Sequence, residues 1–239
     1  MISFTKNTAP DCFSCKFKPS CFCDRMEPAA QKTWNDIRLA ANFPAAHDIY
    51  AQSHLPEGIF IVCKGRTKIF SSDAKGSQMI HSICHPGGIF GHIALFSRNK
   101  YICNSRTMGP ATLSYIDAAA LNKFFKTYPE TYPLLLHKIS NELRALQLKL
   151  NDTAYKPAKA KVAQALINTI SYKSKNTAVP AIHGLQRTEI AEITGLALET
   201  VVRALAELEK KKIIKRESKA IKILDYATLA RMADPHAKK

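Results

Sequence analysis

Four of the seven cysteines lie in the first 28 residues. Cys12, Cys15 and Cys21 are spaced C-x2-C-x5-C, and Cys23 adds a fourth thiol two residues on. Thiolates this close on a polar arm can wrap one face of an iron–sulfur cube. The same residues also suit a tetrahedral zinc site, a thiol redox switch, or no ligand at all. Cys63, Cys84 and Cys103 fall among apolar runs, where a packed, inert thiol is the common outcome. Met1–Pro10 lacks the apolar stretch of a signal peptide, and no run approaches the roughly 20 apolar residues that span a bilayer. A cytoplasmic protein with no membrane contact is therefore expected. In that compartment clustered cysteines point to metal or redox chemistry rather than a disulfide frame.

A second constellation lies near the other end, in RTEIAEITGLALETVVRALAELEKKK. Thr188 is expected to cap a helix whose apolar face includes Ile190, Ala191 and Ile193. Ala191 is small where two helices must cross closely, and Gly195 permits the positive φ of a tight turn. Leu196 and Ala197 then open a second helix that buries Val201 and Leu205. This leaves Glu199, Thr200, Val202 and Arg203 on its exposed early turns, where a recognition helix meets base edges in the major groove. Arg203 suits a bidentate contact to guanine, and Glu199 can accept from the amine of cytosine. Arg187, Thr188, Ala197 and Lys215 complete the expected DNA-facing set. Lys210, Lys211, Lys212, Lys215, Arg216, Lys219 and Lys222 follow, opposed only by Glu217, and suit phosphate contacts. An ordinary helical hairpin with a solvated charged face is the alternative. The chain carries 35 Lys and Arg against 19 Asp and Glu, a net charge of +16, which favours a polyanionic partner. Residues 157–239 hold 16 basic and 8 acidic residues, so the charge is not confined to that end and does not locate the site.

The elements that must position these groups divide the chain into a cysteine-rich arm (1–28), a sensor domain (29–128), a long helix (129–156) and a C-terminal domain (157–239). IFIVCKG, TKIF, MIHSIC and ATLSYI are strand-length runs punctuated by glycines, the pattern of an antiparallel roll or barrel. Leu136, Ile139, Leu143, Leu146 and Leu150 are spaced 3, 4, 3, 4, as in a heptad seam. The seam predicts a homodimer joined through Ile139, Leu143, Leu146 and Leu150, with Glu142, Arg144 and Lys149 left wet; packing against its own domain is the alternative. Pro157 marks a hinge, 159–172 reads as an amphipathic helix, 174–184 as a loop or short hairpin, and IIKRES with AIKIL as a two-stranded wing. The fold class is α+β. No nucleophile–base motif or nucleotide loop appears, so an enzyme is not expected, although a redox enzyme using the cysteines remains a competing class.

A glycine-punctuated roll, a long helix and a winged helix-turn-helix together resemble the cyclic-AMP receptor protein and FNR family of bacterial regulators. PEGIFIVCKGRTKIF (56–70), HPGGIFGHIALF (85–96) and LETVVRAL (198–205) carry the likeness. It implies a dimer on an inverted-repeat operator and contact with RNA polymerase. Glu199 and Arg203 match the family's base-reading pair, while Val202 replaces the serine of the FNR branch. Cyclic-AMP binding in the family needs a glutamate and an arginine–serine pair. Here His92 stands at the glutamate position and KYICNS (100–105) offers no arginine before a serine, so cyclic AMP is not expected, its buried phosphate lacking a counter-charge. C-x2-C-x5-C is the FNR cluster spacing, which implies a [4Fe–4S] cofactor on Cys12, Cys15 and Cys21 that senses oxygen, nitric oxide or redox state. The branch takes its fourth ligand from the last roll strand, at a position occupied here by Ser114. Cys103 is the expected substitute, with Cys63 or Cys23 as alternatives. Some relatives bind haem, which gives His81, His85 and His92 a possible role beside their reading as turn residues.

Overall fold

The computed structural model describes residues 3–6, 9–74, 76–170, 179–218 and 220–234. It falls into two compact units, Met1–Glu142 and Leu143–Lys239.

The first unit begins with the cysteine-rich arm. Two short 3-10 turns, Lys18–Ser20 and Phe22–Arg25, lead into α1 (Pro28–Ile37). Eight strands follow: β1 (Leu39–Phe43), β2 (Asp48–Tyr50), β3 (Gly58–Lys64), β4 (Thr67–Ser72), β5 (Gln78–Cys84), β6 (Ile89–Phe90), β7 (Asn104–Thr107) and β8 (Ala111–Asp117). Helix α2 (His92–Ser97) separates β6 from β7, and α3 (Ala118–Thr127) follows β8. The strands form two antiparallel four-stranded sheets, ordered β1-β8-β3-β6 and β2-β7-β4-β5. The expected roll is present, with helices that the apolar runs alone did not announce.

Two apolar clusters stabilise this unit. One fills the roll with Phe43, Tyr50, Phe60, Phe90, Tyr101 and Leu113, where the Tyr50 and Tyr101 rings stack 3.7 Å apart. The other binds the arm to the helices. Trp34 of α1 is fully buried between Phe22 and Phe124, and Cys12, Cys23, Met26 and Leu135 share its cluster. The arm, polar in composition, is therefore a packed element of this unit.

The long helix α4 (Tyr132–Tyr155) starts after a 3-10 turn at Pro129–Thr131. Leu136, Ile139, Leu143, Leu146 and Leu150 are all exposed along it. Glu142 is not wet as expected. It is half-buried, bonded to Nε2 of the buried His92 at 2.7 Å and to Nζ of Lys138 at 2.7 Å.

In the second unit α5 (Ala158–Thr169) precedes β9 (Ala181–His183), α6 (Arg187–Thr194), α7 (Leu198–Lys210), β10 (Ile214–Arg216), β11 (Ala220–Ile223) and α8 (Tyr226–Ala233). Of the loop or short hairpin expected at 174–184, residues 181–183 form a strand that pairs with β11, while 174–178 lie outside the described residues. The wing is accordingly three-stranded, ordered β10-β11-β9, because β9 supplies the partner that the second face of β11 needs. Val162, Leu166, Ile182, Ile190, Val201, Leu205 and Leu229 form the core beneath it.

Candidate nucleic-acid interface and thiol pocket

Helix α6 begins with a reciprocal cap. The Gln186 side chain accepts from the backbone of Glu189, and the Glu189 carboxylate accepts from the Gln186 N–H at 2.8 Å. Thr188, expected to be the cap, lies one residue inside the helix and is exposed; glutamine's longer side chain reaches the free N–H groups first. Gly195 ends α6 at φ 67°, its N–H donating to the Ala191 carbonyl at 2.8 Å. A residue with a Cβ is strained there, so the glycine sets the turn. Ile190 and Thr194 are buried at the crossing, with Ala191 packed beside them and Ile193 only half-buried. The Thr194 hydroxyl satisfies itself on the Ile190 carbonyl at 2.7 Å.

Helix α7 buries Val201, Ala204, Leu205 and Leu208. Its other face carries Glu199 and Arg203, both exposed, with Thr200 and Val202 half-buried beside them. Arg187, Ala197 and Lys215 are exposed as well. Arg216 is half-buried and ion-paired. Its Nε donates to the Glu209 carboxylate at 2.7 Å and its backbone N–H at 2.8 Å, which ties β10 to α7. Lys222 is held by Glu217 at 2.8 Å, and Lys215 lies 3.9 Å from the same carboxylate. Lys219 lies outside the described residues.

The cysteines gather in the first unit. Cys12, Cys15, Cys21, Cys23 and Cys63 line one pocket with Arg38. Cys23 donates to Cys12 across 3.7 Å, and Cys12 and Cys23 both hydrogen-bond to Cys21. These bonds from Cys12 and Cys23 hold the Cys21 thiol well below its ordinary value. Cys12, which donates to Cys21, is pushed up to about 11, and Cys23 is raised by its bonds to Cys12 and Cys21. The arm is seated by local bonds. Asp11 accepts from the N–H groups of Phe13 and Ser14, and Asn35 accepts from that of Cys12 at 3.0 Å. Gly87, at φ 91°, lets the arm close on the roll, because a Cβ there would stand 2.6 Å from the Ser20 carbonyl oxygen.

Cys103, the expected fourth ligand, is not at this pocket. It precedes β7 and bonds to Tyr50, so a different face of the roll holds it. Cys63 is at the pocket, 3.1 Å from the Ser114 hydroxyl. Among the described residues no cysteine, histidine or carboxylate group is arranged to hold a single metal ion. A cube, by contrast, takes its thiolates at separate corners, and five thiols with one buried cation are a donor set that fits it. The histidines are placed separately. His81 bonds to Ser71 at 3.0 Å, His85 is half-buried, and His92 bonds to Glu142. Burial lowers the His85 pKa, and the charge of Arg66 adds to the effect.

Residues 40–128 match the cyclic nucleotide-binding domain, and residues 160–232 match the Crp-like helix-turn-helix domain. The chain belongs to the CRP/FNR family. Its members are transcriptional regulators rather than enzymes, and the Crp-like helix-turn-helix is a DNA-binding element. This family chain is 26% identical over 210 residues to the CRP-like cAMP-activated global transcriptional regulator of Mycobacterium tuberculosis, covering 87% of this chain and 94% of the relative. It is also 26% identical to the cAMP-activated global transcriptional regulator CRP of Salmonella typhimurium, over 75% of this chain and 86% of that one. Among solved structures, FixK2 from Bradyrhizobium japonicum shares the fold at TM-score 0.74 and 20% identity, covering 82% of this chain and 97% of its own. CooA from Carboxydothermus hydrogenoformans does so at TM-score 0.67 and 18% identity, covering 88% and 92%. No helix among the described residues is long and apolar enough to cross a membrane.

The thiol pocket draws on Arg38, which sequence reasoning passed over. One arginine between a helix and a strand has no periodicity to mark it.

Proposed function

We propose that this regulator is an FNR-type homodimer that reads an inverted-repeat operator and senses oxygen, nitric oxide or redox state through a [4Fe–4S] cluster on Cys12, Cys15 and Cys21. The observation that carries the reading is the gathering of the arm thiols into one pocket with a roll cysteine and a buried guanidinium. Such a group, when bound, supplies a centre labile to oxygen or nitric oxide.

The residues of the chain account for the rest. The arm shares an apolar cluster with Trp34, Phe124 and Leu135, and Leu135 belongs to the first turn of α4. Loosening the arm therefore disturbs the root of the helix that carries the proposed dimer seam, Ile139, Leu143, Leu146 and Leu150. A weakened dimer loses DNA affinity, because two recognition helices must bind one palindrome together. On α7, Arg203 and Glu199 are the proposed base readers, with Thr200 and Val202 beside them. Arg187, Thr188, Ala197 and Lys215 are proposed to meet the backbone. Contact with RNA polymerase follows from the family reading and has no residue assigned.

Cyclic AMP is not the proposed effector. His92 occupies the position where the family's nucleotide binders need a glutamate, and it is already committed to Glu142.

The test is anaerobic purification. Iron and acid-labile sulfide in the wild-type chain, with both lost in Cys15→Ser while the fold is kept, support the reading. A sharp Soret band points to haem instead, and a colourless metal-free preparation sinks both cofactor readings. A second reading rests on the 3.7 Å approach of Cys12 and Cys23: a thiol switch, in which oxidation joins these two sulfurs. Treatment of the metal-free chain with a disulfide oxidant, which takes up two electrons and two protons as the S–S bond forms, should lower its mass by two hydrogen atoms, and loss of that change in Cys23→Ser identifies the switch.

A further inference from the structure

Arg38 is 3% exposed, at the C-cap of α1 and in the wall of the thiol pocket. Its hydrogen-bond acceptors are all neutral: the Pro10 carbonyl at 2.8 Å, the Asn35 side chain at 2.9 Å and the Ser114 hydroxyl at 3.3 Å, with the Cys63 sulfur 3.9 Å away. Its Nε has no partner among the described residues. Asp11 is exposed and occupied with the backbone of Phe13 and Ser14, bonds that lower its carboxyl pKa with help from the charge of Arg38. Asp36, which shares a second, open pocket with Arg38, forms no ion pair with it among the described residues. A guanidinium cannot discard its proton, and a buried cation without an anion is strongly unfavourable. The pocket it lines is therefore built for negative charge, and the groups there able to supply it are thiolates.

One of those thiols is delivered by a defect in the sheet. In the pairing of β3 with β8, Val62 faces Leu113 and Lys64 faces Thr112. Cys63 is the extra residue of a β-bulge. A bulge re-aims the side chain it carries, and here the Cys63 sulfur lies 3.1 Å from the Ser114 hydroxyl on β8. The strand position that lacks a thiol is thus served by a thiol from its neighbour.

Building on the cluster reading above, we propose that Cys63 is the fourth ligand and that Arg38 is its counter-charge, a positioning residue that stabilises the anionic thiolate set without binding iron. Arg38 also anchors Pro10, two residues before Cys12, so the same side chain seats the arm.

The experiment uses the full chain, purified anaerobically, with iron and sulfide per chain, the rate of iron release to a ferrous chelator and the midpoint potential as readouts. Circular dichroism checks the fold of each variant. Cys63→Ser is expected to lose the cluster while Cys103→Ser keeps it. Arg38→Gln is expected to weaken iron retention about tenfold, as loss of an outer-shell partner does, and to lower the potential, because a nearby cation favours the added electron. Arg38→Lys restores both in part. Full iron in Cys63→Ser, with loss in Cys23→Ser or Cys103→Ser, moves the fourth ligand and overturns the assignment. An Arg38→Gln protein with unaltered retention and potential overturns the counter-charge. A wild-type chain without iron or sulfide fails at the first step, and the cluster reading falls together with this one.

Discussion

The stripe on α4 makes a quantitative prediction. Leu143 is 56% exposed, and Leu148, five residues on, is 55% exposed. The two leucines are equally uncovered in the single chain, but only Leu143 belongs to the 3, 4, 3, 4 series; Leu148 falls on the other side of the helix. Fully burying a leucine contributes about 2 kcal/mol, so covering the exposed half of Leu143 contributes about 1 kcal/mol. A twofold seam repeats each contact, which doubles the effect to about 2 kcal/mol per dimer. Leu143→Ala should therefore raise the dimer dissociation constant about 30-fold. Leu148→Ala should leave it unchanged. Sedimentation equilibrium over a concentration series, on wild type and both variants, measures this directly. Equal weakening by the two substitutions, or none by Leu143→Ala, would refute the seam.

Three further outcomes are expected. Arg203→Ala should cost about 1–3 kcal/mol in specific DNA binding and relax one base position, whereas Lys215→Ala should weaken all sequences alike and flatten the salt dependence; fluorescence anisotropy on an operator library distinguishes them. Gly87→Val should unseat the arm, since its side chain would meet the Ser20 carbonyl and the Cys21 nitrogen; faster proteolysis between residues 10 and 25 is the readout, and an arm as protected as in wild type contradicts the packing. For Glu142, burial acts to raise the pKa, but the bonds to His92 and Lys138 outweigh it and leave the carboxyl below its ordinary 4.5. Its contribution is complete above that value and is lost as pH falls through the lower folded one. The Tm gap between wild type and Glu142→Gln should accordingly be widest near neutral pH and shrink in acid; a gap that widens in acid reverses the sign.

The helix-turn-helix was legible because its determinants are local. Gly195 sets a turn between residues a few positions away, and the alternation of buried Val201 and Leu205 with exposed Glu199 and Arg203 follows the helical period alone. The exposed apolar stripe of α4 was legible for the same reason, since a period of 3.5 is written within one helix. The capping residue was misread because Thr188 and Gln186 compete over two positions, and the choice depends on which side chain reaches Glu189. The wing's third strand was missed because β9 is three residues long and takes its identity from pairing with β11.

At the cysteine site, spacing by itself marked Cys12, Cys15 and Cys21 as a set. Which other thiol joins them depended on contacts spanning tens of residues. Cys63 and Cys103 look equivalent in the chain, each in an apolar run. A single extra residue in the β3–β8 ladder brings Cys63 to Ser114, 51 positions away, while Cys103 is turned to Tyr50. Arg38 reaches Ser114 across 76 positions. Periodicity and spacing record what neighbours on one element do. Strand register, a bulge and the burial of a lone charge arise only when distant elements pack, so the tertiary structure alone decided where the thiols meet their cation.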